Sequence, residues 1–118
     1  MNTTGMRWMA IVLGLSFAAA VVTVGLSASS DVEAGKDIFM NRCKMCHGED
    51  GNGNASMAKI LQVEFKPMDS EYIQKKSDAE FKEIITKGKG KMAAVRGLTE
   101  AQLDDVIAYV RSLAKHTN

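Results

Sequence analysis

Apolar residues recur at helical spacing along most of the chain from Asp31 onward, and no segment reads as a strand. Asp31 is a good N-cap for a first helix running through "VEAGKDIFMNRC", in which Val32, Gly35, Ile38 and Phe39 share one face. A glycine on that face costs about 1 kcal/mol relative to Ala. Its presence predicts another helix crossing there at close range. A short helix, "SMAKILQV", follows from Ser56, and Pro67 then breaks the chain. The next helix opens at Ser77, where "SDAE" is a capping box, carries Phe81, Ile84 and Ile85 on its apolar face, and stops at Gly88. The last has the clearest pattern. Thr99 and Gln102 form a capping box, Leu98 and Leu103 suit a hydrophobic staple, and Leu103, Val106, Ile107, Val110 and Leu113 repeat at helical spacing. The fold class expected is all-α.

The first thirty residues have a different character. Arg7 is followed by "WMAIVLGLSFAAAVVTVGL", Trp8 to Leu26, without a charged side chain. A secretory signal has an apolar core of about 7–15 residues, whereas a spanning helix needs about 20. This run lies between the two. Ser27, Ala28, Ser29 and Ser30 offer a cleavage site, although Leu26 fits the usual small-residue pattern poorly. The reading is therefore a signal peptide or N-terminal membrane anchor over residues 1–30 and a single exported domain over 31–118. No Cys stands near the junction, which excludes a lipoprotein anchor.

A domain this small buries only about 60% of its unfolded surface and needs something to complete its core. With 15 Lys and Arg against 14 Asp and Glu, no global field argues for nucleic acid or an anionic membrane.

Both cysteines and one of the two histidines fall in "NRCKMCHGEDGNG". A dithiol redox site of the thioredoxin kind needs a sheet that this chain does not offer. A structural zinc ion needs four ligands, and Cys43, Cys46 and His47 supply at most three; the other histidine, His116, is in the C-terminal tail. A vicinal disulfide leaves His47 without a role. Covalent haem uses all three residues. C-x-x-C-H is the attachment signature for c-type haem, in which two thioethers tether the porphyrin and the next residue is held under the iron. An apolar cofactor would also complete the small core.

On these residues the chain resembles the class I c-type cytochromes, specifically the small bacterial monohaem kind. "AGKDIFMNRCKMCHGEDGNG" looks like the family's first helix and haem-binding loop, "KKSDAEFKEIITKGKGKM" like its third helix and distal loop, and "LTEAQLDDVIAYVRSL" like its C-terminal helix. The resemblance implies a small cytochrome c fold of three to four helices around one haem c, with Gly35 and Phe39 meeting Tyr109 where the first and last helices cross. It implies His47 and Met92 as axial ligands of the iron, with Met68 the rival for the distal place. The proline that commonly follows the distal methionine is replaced by Ala93 and Ala94. The resemblance further implies that the carbonyl of Pro67 accepts a hydrogen bond from the second ring nitrogen of His47.

The activity implied is one-electron transfer between respiratory redox partners in the periplasm or otherwise outside the cytoplasm. Lys87, Lys89, Lys91 and Arg96 would steer partners with acidic docking patches, or else form a solvated loop. The alternatives are a membrane-anchored haem subunit of a larger respiratory enzyme, and a haem sensor or peroxidase in which Met92 is displaceable.

Overall fold

The computed structural model describes Ala20 and residues 29–114. The N-terminal segment read as signal or anchor lies outside the described residues except for Ala20, Ser29 and Ser30, and His116 also lies outside them. Six helices form the described domain: α1 (Val32–Arg42), α2 (Lys44–His47), α3 (Ala55–Leu61), α4 (Glu71–Gln74), α5 (Asp78–Lys87) and α6 (Glu100–Leu113). Among the described residues no helix is long and apolar enough to cross a membrane.

The caps predicted for three of these helices are present. The Asp31 carboxylate accepts from the Glu33 and Ala34 N–H groups, and full capping boxes form at Ser77/Glu80 and Thr99/Gln102. Helix α3 starts one residue before the expected Ser56 because the Asn54 side chain caps it. The pattern did not predict α2 and α4. Each is a single turn of four residues with no side-chain cap, too short to display a period.

Helices α1 and α6 cross at Gly35, as the glycine on that face predicted. A Cβ there would overlap the Asp105 carbonyl, so only a hydrogen atom allows the two backbones to approach this closely. Beside the crossing, the Phe39 and Tyr109 rings pack with centroids 5.3 Å apart. Phe39, Phe81, Val106, Ile107, Tyr109 and Val110 form the buried core together with Met68. The core lies to one side of α2, and a cavity opens between them.

Candidate functional site

Cys43, Cys46 and His47 occupy one tight stretch because α1 ends at Arg42 and the chain turns at once into α2. The amide of His47 donates to the Cys43 carbonyl at 3.0 Å, and Gly48, with φ 76°, ends the turn. A cap with that backbone favours glycine. Neither cysteine is in a disulfide, and both are half-buried. Burial pushes the Cys43 thiol up to about 11, partly offset by the neighbouring Arg42 cation and reinforced by Cys46. The same loss of solvent lowers the pKa of His47, favouring the neutral imidazole that metal ligation requires.

His47 sits between two aromatic rings, Phe65 edge-on at 5.6 Å and Phe39 at 6.4 Å between centroids. Its Nδ1 is buried without a hydrogen-bond partner. This corrects the expectation for Pro67. The Pro67 carbonyl instead accepts from the Ser70 amide at 3.0 Å and the Ser70 hydroxyl at 2.5 Å, which closes the turn into α4.

These residues wall a cavity of about 680 Å³, whose lining is mostly apolar. The volume and lining are those of a cofactor site. Met92, which follows His47 by 45 residues, lines the same cavity together with Cys43, Cys46 and His47. Met68 lines it too, but is also part of the packed core at 9% exposure. Met57 on α3 is a third methionine in the wall that the sequence reading did not single out. Phe65 was missed as well. Its one local signal was an aromatic residue two positions before the sole proline.

The loop carrying Met92 has a defined path without a proline. Gly88 (φ 77°) turns the chain out of α5, where a Cβ would come within 2.5 Å of the Met92 carbonyl oxygen. Lys89 and Met92 then exchange backbone hydrogen bonds at 3.0 and 2.9 Å around Gly90 and Lys91. Farther on, the Val95 amide donates to the Ile85 carbonyl at 2.7 Å. The Arg42 guanidinium donates to the Arg96 carbonyl at 2.8 Å, joining the loop to the residue before Cys43.

Charge at the cavity wall is mostly positive: Arg42, Lys66, Lys76, Lys89 and Lys91 against Glu64. Lys66 is paired with Glu64 at 3.0 Å, and Lys76 lies over the Tyr72 ring. Of the four cations expected near Met92, Lys89 and Lys91 line the cavity, while Lys87 pairs with Glu83 at 3.1 Å.

Among the described residues no three His, Cys, Asp or Glu side chains converge on a point that could hold a metal ion. Cys43, Cys46 and His47 are not gathered around one point. Their arrangement fits a large apolar group bearing its own metal: two thiols and a neutral imidazole on one wall, a thioether in the same cavity, and aromatic side chains that exclude water.

Comparison with known proteins agrees with this arrangement. A sequence model of the family described as Cytochrome c matches residues 32–114. No curated protein matches the chain.

Proposed function

The chain belongs to the cytochrome c family and carries a covalently bound haem c, and on that footing we propose that Cys43 and Cys46 are its thioether anchors and His47 and Met92 its axial ligands, in a one-electron carrier working outside the cytoplasm. It is a haem-binding electron-transfer protein, and members of its family are typically electron carriers. The observation that carries the ligand assignment is that Met92 lines the cavity walled by Cys43, Cys46 and His47 from a loop, whereas Met68, which also lines it, is packed in the core and Met57 is held in α3.

The bound haem supplies a ferric–ferrous couple, which His/Met ligation shifts toward higher potential. The protein's own residues do the rest. Burial keeps His47 neutral and so available as a ligand. The thioether of Met92 is soft and uncharged, and suits ferrous iron. Phe39 and Phe65 hold water away from the imidazole. With His47 and Met92 both holding it, the haem iron would offer a substrate no position.

The cations at the cavity wall favour a redox partner with an acidic face. Such complementarity speeds encounter more than it strengthens the complex. The anchored-subunit reading rests on one observation, the uncharged run from Trp8 to Leu26. The mass of the mature protein from the membrane and soluble fractions decides between carrier and anchored subunit.

The test of the ligand set is a visible spectrum of the haem-loaded protein, oxidised and then reduced, with and without CO. Sharp low-spin bands, a weak long-wavelength Met–Fe(III) band and no CO shift are expected. A high-spin spectrum that shifts with CO would remove Met92 as a firm ligand and promote a sensor or peroxidase.

A further inference from the structure

We infer that Arg42 is a positioning residue for the distal side of the site: it latches the loop that carries Met92 to the helix that delivers Cys43. This rests on the proposed ligation by Met92. The loop packs on α5 at Gly88, where the Met92 carbonyl and Ala94 amide lie close, but its two ends are open. Gly90 (φ 58°) and Gly97 (φ 82°) both face open space, since a Cβ at either would meet nothing within 4 Å. Between them, Met92 is followed by the small residues Ala93 and Ala94. Beyond that contact with Gly88, the loop's place is set by hydrogen-bonded tethers.

Two kinds of tether are present. On the α5 side, the Gly88 amide donates to the Ile84 carbonyl at 2.9 Å and the Val95 amide to the Ile85 carbonyl at 2.7 Å. These bonds fix the loop to the helix it leaves, but not to the segment bearing Cys43 and His47. The Arg42 Nη2 donates to the Arg96 carbonyl at 2.8 Å across 54 residues of sequence, and so spans that gap.

The position of Arg42 makes it a stiff anchor. It is the last residue of α1, three residues after Phe39, which is 1% exposed. The backbone from which the guanidinium reaches is therefore fixed by the α1/α6 crossing. A charged donor gives a stronger bond than a neutral one, and the planar guanidinium holds its direction better than an ammonium on a flexible stem. The bond lies at the surface, so its effect is on the population of an opened loop rather than on the existence of the fold. An external ligand competes for the iron only in the opened state, and its apparent affinity scales with the fraction of molecules opened.

The test is an imidazole titration of the oxidised, haem-loaded protein, followed by the long-wavelength Met–Fe(III) band, with a thermal melt of each variant. Arg42→Ala should bind imidazole roughly 5- to 10-fold more tightly than the parent, with Arg42→Lys between the two. Asp31→Ala, which removes the cap at the far end of α1, should lower Tm without changing imidazole affinity. Unchanged affinity in Arg42→Ala overturns the latch. So does an equal tightening in Asp31→Ala, because general loosening would then account for both. Met92→Ala distinguishes the two levels of inference. If it takes up imidazole strongly while Arg42→Ala does not, the latch alone fails. If it retains the band and the parent's affinity, the ligation by Met92 fails and the latch with it.

Discussion

Three methionines line the cavity, and burial separates two of them. Met92 is partly buried on a loop held by backbone bonds, whereas Met68 is packed among Phe39, Phe81 and Val110. Replacing each by alanine should therefore give opposite results. Met92→Ala is expected to abolish the long-wavelength band, render the ferric protein high-spin and admit CO to the ferrous form, with little change in global stability. Met68→Ala should keep all three spectral properties and lose about 3 kcal/mol of stability, typical for truncating a buried methionine. Spectra and denaturant titrations of the two holoproteins check this pair, and exchanged outcomes would make Met68 the ligand. At this scale the C-x-x-C-H motif was legible directly, because its three residues fall within five positions. Met92 was offered as a ligand only through family resemblance, since nothing local marks one methionine among eight as special. The Arg42–Arg96 bond could not be read at all, because it joins residues 54 apart in the chain, and Phe65 gave only its place near the proline because the ring it packs on belongs to the distant His47.

Among the elements, the α1/α6 crossing and the α5 cap carry distinct predictions. Gly35→Ala would drive a methyl group into the Asp105 carbonyl of the opposing helix, a backbone atom that cannot move alone. The expected cost is about 3 kcal/mol, at the upper end for overpacking, measured by denaturant unfolding of the holoprotein. Unfolding at the parent's midpoint would mean that the helices do not cross there. In α5, the Glu80 carboxylate accepts the Ser77 amide at 2.7 Å and the Ser77 hydroxyl at 2.9 Å. The backbone bond above all, helped by the hydroxyl and by Lys76 and Lys89, holds its pKa below the ordinary 4.5. A carboxyl depressed in the folded state stabilises above its unfolded pKa, and that contribution is lost as pH falls through the folded value. Tm should therefore drop on acidification below about pH 4.5 in the parent, and by less in Glu80→Gln. Parallel curves would remove the cap as the cause. Helices α1, α5 and α6 were legible because each combines a capping residue with two or more turns of apolar period. Helices α2 and α4 were not, since four residues complete barely one turn.

For the whole molecule, the question is what holds a domain of this size together when a cavity of about 680 Å³ opens beside its core. The fully packed part of the core is small, with Phe39 and Leu103 its only large side chains below 2% exposure among the described residues. Most of the apolar lining, including Ile73, Ile84, Ile85 and Val95, faces the cavity and is only half-buried. Those side chains would complete their burial against a haem held in the cavity. Its removal leaves either a wet apolar chamber or a collapse that the α1/α6 crossing resists. A ligand present only in the native state adds its binding free energy to stability, and a covalently attached one cannot be lost by dilution. The protein made without haem attachment, or as the Cys43→Ser/Cys46→Ser double variant, should therefore show weakened far-UV helical signal and a broad, non-cooperative melt. The haem-loaded parent should melt cooperatively at a much higher temperature. Far-UV circular dichroism of the three samples is sufficient. A cooperative melt of the haem-free chain near the parent's Tm would mean that α1, α5 and α6 are self-supporting, and that the haem enters a finished fold rather than completing one.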